Sequence, residues 1–290
     1  MKKEYLYAGA SIFLWSTTAT VTKLLLGSLN SMQITLISSL LSTVFLLIVN
    51  IAKGTICELK SFKLKDFAYT FLLGTIGIFI YHLCLYIGID KMEASQAFII
   101  NYLWPIMTVV FACIILKEKM TARKAIAILL SFIGVIVVTS NGSLLSISAN
   151  TLSGAVYCII AAVAYGLFSI LNKQKPYNKY LSMLLYYVAS FVVSLVWVLV
   201  TRDGFTIEPS QTVGILWSGI FTTAVAYTSW ALALEHGDTA KISNLAYITP
   251  FLSLVWTTLV LKEEFKPWSL VGLAIIVVGI FIQMKDKKKA

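Results

Sequence analysis

Long apolar runs alternate with short polar gaps over nearly the whole length of this 290-residue chain. Ten apolar segments stand out, at 5–26, 31–52, 66–89, 93–116, 123–140, 153–172, 180–201, 211–234, 238–261 and 268–284. A helix of roughly 20 apolar residues crosses a hydrocarbon core of roughly 30 Å, so each run is about long enough to span a bilayer. A membrane strand needs only about 10 residues, so the runs predict helices rather than a barrel. The joining loops are too short to hold a soluble domain.

The pattern is also written twice. A shift of 145 positions carries Tyr102, Pro105, Lys117, Glu118 and Gly134 onto Tyr247, Pro250, Lys262, Glu263 and Gly279. In each copy an apolar span holds a mid-span proline, ends on Leu-Lys-Glu and gives way to a second apolar span. Trp15 and Lys23 recur as Tyr165 and Lys173 at a shift of 150. The fold expected is an all-α integral membrane protein, with ten transmembrane helices in two inverted five-helix repeats around a central cavity. Residues 1–141 form the first repeat, 142–152 an outer connecting loop, and 153–290 the second repeat with a basic cytoplasmic tail. Five is odd, so the second copy enters the membrane from the opposite side. Exchanging the roles of the halves then gives two states of similar energy, open to opposite faces around a midplane site.

Composition points the same way. Apolar residues make up 59% of the chain, charged residues 12%, and the mean hydropathy is +0.86. About a quarter of a soluble protein is charged, so lipid must cover this surface. The net charge of +10 gains its meaning from where the cations fall. With the N-terminus inside, seventeen of the 23 Lys and Arg lie in inner loops or tails, among them Lys2, Lys3, Lys117, Lys119, Arg123 and Lys287. Four lie outside: Lys91, Arg202, Lys262 and Lys266. This positive-inside bias places both termini in the cytoplasm of a multi-pass protein in the plasma (inner) membrane. The charge is thus a topology signal and implies no nucleic-acid partner. The expected partners are the lipid bilayer and a small-molecule solute, and the expected assembly is a monomer. Lys23 and Lys173 are expected to snorkel to their interfaces. Met1-Lys2-Lys3 before an apolar stretch resembles a secretory signal, but no small-x-small cleavage pattern follows, so an uncleaved first helix is expected.

Polar residues within the spans fall at helical spacing. Helix one carries Ser11, Trp15, Thr18 and Thr22, helix three Thr75, Phe79, His82 and Tyr86, and helix six Tyr165, Ser169 and Asn172. Helix four places Asn101, Pro105 and Thr108 on one face, helix eight Thr223, Tyr227 and Trp230, and helix nine Asn244 with Tyr247. These are the first, third and fourth helices of each half. Single Ser and Thr residues read as glue between packed helices, each worth about 1 kcal/mol or less. The aromatic and amide set together reads as a cavity lining, because packing alone does not require its symmetry. The second, fifth, seventh and tenth spans are plainer and are expected to form the outer wall. Pro105 and Pro250 each withhold a backbone hydrogen bond, either as packing kinks or as hinges and gates.

All thirteen acids lie near span ends or in loops, so no buried carboxylate is offered for proton or sodium exchange. His82 is the one imidazole well inside a span, readable as a cavity wall or as a switch. Cys84, Cys113 and Cys158 lie within spans and Cys57 in an inner loop, which suggests no disulfide framework. No phosphate loop, zinc spacing or nucleophile elbow is present, so no catalytic residue, metal site or cofactor is expected.

Ten spans in two inverted repeats, each with a mid-span proline followed by Leu-Lys-Glu, resemble the EamA-like drug/metabolite transporters. The run Asn101-Tyr102-Leu103-Trp104-Pro105, with Ala226-Tyr227, Trp230, His236-Gly237 and Thr249-Pro250, is similar to the aromatic amino acid exporter branch. The resemblance implies a basket of helices around a cavity, with cytoplasmic termini. It also implies that Asn101, Tyr102, Trp104, Tyr227 and Trp230 are cavity or gate residues. The substrate-binding set expected is therefore Trp15, Thr18, His82, Asn101, Tyr102, Trp104, Tyr165, Tyr227, Trp230, Asn244 and Tyr247. The function expected is export of a small metabolite, an aromatic or neutral amino acid, by alternating access. Uptake or exchange of nucleosides, cofactors or organic cations stands as the alternative. A membrane enzyme acting on lipid-linked substrates would need acids and histidines clustered at one face, and they are scattered here.

Overall fold

A computed structural model describes residues 3–143, 147–204, 206–237, 242 and 245–284, and the described residues contain helices and no strands. The first half comprises α1 (Lys3–Ser16), α2 (Thr18–Leu25), α3 (Ser31–Lys53), α4 (Leu64–Gly74), α5 (Tyr81–Lys91), α6 (Ala94–Asn101), α7 (Trp104–Ile115) and α8 (Ala122–Ser140). The second comprises α9 (Ala149–Lys173), α10 (Lys179–Thr201), α11 (Thr212–Leu216), α12 (Ala226–His236), α13 (Thr249–Val260) and α14 (Pro267–Met284). π-Helical segments join α4 to α5 (Thr75–Ile80) and α11 to α12 (Trp217–Val225).

Seven helical stretches are long and apolar enough to cross a membrane: Ser31–Lys53, Leu64–Lys91, Ala94–Ile115, Ala122–Ser140, Ala149–Lys173, Lys179–Thr201 and Pro209–His236. Ala246–Val260 and Pro267–Ile282 are shorter apolar helices. Length alone therefore does not return ten continuous spans, and the reason lies in the backbone. The first segment is broken at Thr17, where the hydroxyls of Ser16 and Thr17 donate back to the Phe13 and Leu14 carbonyls, each at 2.7 Å. Such bonds compete with the helical ladder. The fourth segment turns at Tyr102 and Leu103 before α7 begins. The prolines are placed differently from a mid-helix kink. Pro105 and Pro250 each sit in the first turn of a new helix, where an amide N–H would have no intrahelical partner.

The halves pack by one scheme used twice. α5 and α7 lie against α9, while α12 and α13 lie against α1. α3 runs along α10 and α8 along α14, pairings that map onto themselves when the halves are exchanged. Left-handed residues recur in step: Gly54 (φ 70°) and Arg202 (φ 53°) end α3 and α10, and Lys117 (φ 55°) and Lys262 (φ 59°) follow α7 and α13. The second and seventh spans are not plain walls. Ser39 and Ser190 hydroxyls lie 2.7 Å apart, Ser38 and Ser218 3.1 Å, and Ser42 and Thr223 2.7 Å, so α3 is tied to the other half along its length. Lys23 is half-buried and reaches the end of α5. Its ammonium donates to the carbonyls of Ile89 (2.6 Å) and Met92 (2.9 Å) at the end of α5, where unpaired carbonyls and the helix dipole attract a cation.

The α8–α14 contact depends on small residues. A Cβ on Gly134 would stand 2.5 Å from Ile276 and 2.7 Å from the Gly272 carbonyl oxygen, while one on Gly279 would stand 2.9 Å from the Ala127 carbonyl oxygen. These are the same contact seen from the two halves, since Gly134 and Ala127 shift by 145 onto Gly279 and Gly272. Without a hydrophobic drive between helices in lipid, close backbone approach of this kind supplies the attraction. Gly134→Leu is expected to destabilise the protein by about 1–3 kcal/mol through overpacking. A lowered melting temperature in detergent checks this, with Gly9→Leu, which meets nothing within 4 Å, expected to melt unchanged.

Candidate functional site

Between the halves the breaks and π segments deliver a cluster of rings. α1 supplies Trp15, α5 Tyr81 and His82, the α6–α7 turn Tyr102 and Trp104, α9 Tyr165 and α12 Tyr227. Ring centroids lie 5.0 Å apart for Trp15 and Tyr227, 4.9 Å for Tyr81 and Tyr165, 5.2 Å for Trp104 and Tyr165, and 5.5 Å for His82 and Tyr227. Edge-on and tilted pairs at these separations are the geometry that ring quadrupoles favour. The cluster surrounds a cavity with about 20 Å³ of free space. That is room for about one water molecule. The rings therefore stand close upon one another and leave little free space between them.

The polar groups of the cavity are few and uncharged. Asn101 donates to the Tyr81 hydroxyl at 3.2 Å, and His82 Nδ1 donates to the Ile78 carbonyl at 2.8 Å, a bond that fixes the ring. Among the described residues, two of the buried side-chain atoms without a hydrogen-bond partner belong to the cavity lining: the Trp15 indole Nε1 and the Asn101 carbonyl Oδ1. An unpaired buried donor or acceptor costs about 1–3 kcal/mol. The cavity wall thus carries one donor and one acceptor without a partner. Among the described lining residues there is no carboxylate, ammonium or guanidinium.

Of the residues expected from sequence, Trp15, Thr18, His82, Asn101, Tyr102, Trp104, Tyr165 and Tyr227 come together around this cavity. Trp230 stands one layer back, with its ring 5.3 Å from Trp15, and so backs the wall rather than lining it. Tyr247 is buried against Phe281 at 6.0 Å, away from the cavity lining. Asn244 lies outside the described residues. Sequence reasoning missed Tyr81, Leu85, Phe98 and Thr222. Leu85 and Phe98 are apolar and give no polar signal, while Tyr81 and Thr222 adjoin or lie within the π segments. A wider turn over Thr75–Ile80 advances the register, so Tyr81 reaches the cavity beside His82. The turn over Trp217–Val225 brings Thr222 inward, while Thr223 bonds to the Ser218 and Gly219 carbonyls. Such segments are frequent at functional sites.

The break in the first helix is held from the second half. The Trp217 indole donates to Thr17 Oγ1 at 2.9 Å and the Trp256 indole to Ser16 Oγ at 3.0 Å. The two tryptophans thus grip the break one turn from Trp15.

Comparison with known proteins adds the family. The model of the EamA-like transporter family matches the chain twice, over residues 2–140 and 152–284. An uncharacterized transporter of Clostridium kluyveri is 26% identical over all of this chain and 96% of its own length. An uncharacterized transporter of Archaeoglobus fulgidus is 23% identical over 98% of the chain and all of its own length. The uncharacterized transporter YyaM of Bacillus subtilis is 25% identical over 83% of the chain and 80% of its own. A solved crystal structure superposes with a TM-score of 0.72 at 17% identity, covering 100% of this chain and 99% of the other, which shows a shared fold. With apolar helices of membrane-crossing length and a family match across both halves, this multi-pass membrane transporter belongs to the EamA-like transporter family.

Proposed function

We propose that the chain moves a small, flat or amphipathic metabolite through the aromatic cavity by alternating access. The observation that carries this reading is that both halves contribute rings to one cavity, and that all of these rings but Tyr165 and Phe98 adjoin a helix break or a π segment. The ten-span reading counts α1–α2, α6–α7 and the stretch ending in α13 as single interrupted spans, and it makes the halves inverted mates. Both termini then lie in the cytoplasm of a plasma-membrane protein, on the strength of the lysine distribution. The class of solute that the motif resemblance favours is an aromatic or neutral amino acid, exported from the cell. A second reading, transport of an uncharged heteroaromatic metabolite such as a nucleoside, draws support from the uncharged lining, since the ammonium and carboxylate of an amino acid would find no ionic partner there.

Counterflow in proteoliposomes across a panel of amino acids, nucleosides and amines identifies the solute. With a solute in hand, Tyr102→Ala and Tyr227→Ala are each expected to weaken its apparent affinity about 3- to 10-fold, the loss of one ring contact of about 0.5–1.5 kcal/mol. Unchanged counterflow in both variants, at matched protein levels, removes the cavity from the transport path.

Sidedness has its own test. Single cysteines at Ser143 and Lys287 in a background without native cysteines are expected to differ toward an impermeant maleimide on intact cells, the first labelling and the second not. The reverse pattern inverts the topology.

No described residue lining the cavity is a carboxylate, so transport is expected to run on the solute's own gradient. Equilibration in sealed proteoliposomes should be insensitive to an imposed pH step. Accumulation above equilibrium on such a step, abolished by His82→Gln, shows proton coupling through the imidazole instead.

A further inference from the structure

The Leu-Lys-Glu turn that ends each repeated span has so far no role. In the second half its glutamate is engaged. Glu263 Oε1 accepts from the Ala94 backbone N–H at 2.7 Å, and Oε2 accepts from the Ser95 N–H at 3.1 Å. These are the first two amides of α6, donors that a helix leaves without intrahelical partners, at the end where its dipole attracts an anion. Lys266, three residues on, places its ammonium on the Glu93 carboxylate just ahead of α6. A turn from one half thus clasps the start of a helix in the other, by charge and by backbone at once.

What α6 carries gives the clasp its importance. The helix runs only from Ala94 to Asn101, and it bears Phe98 and Asn101 and leads into Tyr102, all three of them cavity residues. An eight-residue helix moves as a rigid rod. Any shift of α6 that parts the rings must therefore stretch or release the contact at its other end. The carboxylate is half-buried, bonded through both oxygens to backbone, and cannot follow α6 without dragging its own turn.

The turn is built a second time at Glu118. Lys117 and Lys262 share the left-handed backbone, and Glu118 N–H donates to the Ala112 carbonyl at 3.3 Å as Glu263 N–H donates to Thr257 at 3.4 Å. Glu118 accepts from Lys124 of its own half at 3.0 Å and its side chain is 49% exposed. The residues 145 positions beyond Glu93, Ala94 and Ser95 are Asp238, Thr239 and Ala240, outside the described residues.

We propose that Glu263 is a gate residue, whose docking on the α6 N-terminus holds the cavity shut toward the face that bears residues 261–266. Release of that carboxylate opens this face, and docking again closes it. The proposal rests on the alternating-access reading, and its test is arranged so that the two fail differently.

The four native cysteines, Cys57, Cys84, Cys113 and Cys158, are replaced by alanine, and one reporter cysteine is introduced at a time. Thr22→Cys reports on the Glu263 side, because Thr22 is buried one turn beyond Thr18, next to the Lys23 that holds Met92. Ser169→Cys reports on the other side, one turn beyond Tyr165 toward Lys173. Labelling by an impermeant maleimide is followed in intact cells and in inside-out vesicles. Glu263→Gln is expected to speed labelling at Thr22→Cys at least several-fold and to slow it at Ser169→Cys. Should Glu263→Gln fail to reach the membrane, Lys266→Gln, which leaves the carboxylate but removes its neighbouring cation pair, is expected to give the same signs at smaller size. Equal acceleration at both reporters marks Glu263 as a structural cap and overturns the proposal, as does no change at either. Opposite changes of the expected sign, seen from the other membrane side, keep the gate and overturn only the assigned topology. If the reporters respond as expected but no panel solute shows counterflow, the gate stands and the solute reading alone falls.

Discussion

Hydrocarbon offers no hydrogen-bond partner, so every backbone amide and carbonyl within a membrane span must be satisfied by the protein itself. An unbroken helix meets that demand at no further cost. Each interruption needs a side chain, another helix or a wet cavity to complete it. In this chain the interruptions are not scattered. The break at Thr17, the turn at Tyr102 and Leu103, and the π segments at Thr75–Ile80 and Trp217–Val225 all adjoin the ring cluster between the halves.

The partners that complete these interruptions are themselves specific. Tryptophan indoles from the second half hold the Ser16 and Thr17 hydroxyls. Serines of α3 tie down the π segment through Ser218 and Thr223. Prolines open α7 and α13 at positions where the missing N–H does no harm. Away from the cavity the walls are continuous and tightly joined, with Gly134 and Gly279 letting α8 and α14 approach backbone to backbone. A rigid wall around interrupted helices localises motion to the places where the solute would pass.

How much of this was legible in the sequence follows from the same constraint. Long apolar runs and the 145-residue repeat are direct consequences of lipid and of duplication, so the helical membrane class and the family resemblance could be read at once. Regular 3.6-residue spacing held in the first and sixth helices, and Trp15, Thr18 and Tyr165 stand where their stripes put them. It held only in part in the third and eighth: His82 and Tyr227 line the cavity as their stripes put them, but a π turn has no composition of its own and shifts the register locally. Tyr81 and Thr222 were lost to that shift. Trp230 was read as lining because its spacing from Tyr227 is helical, but Trp15 stands in front of it. The acceptors of Lys23, at Ile89 and Met92, could not be read because that helix end is remote in sequence. The role of Glu263 was hidden for the same reason, since its partners lie 169 and 168 positions away.

The central claim is that the ring cluster between the halves is the solute path. Thr18 lines it with a small hydroxyl and can be replaced by cysteine with little change of volume. In a protein without its native cysteines, Thr18→Cys can be modified by a small methanethiosulfonate and counterflow of the identified solute measured before and after. The account predicts that modification abolishes counterflow, that reduction restores it, and that bound solute slows the modification. Full counterflow with Thr18→Cys completely modified would contradict it.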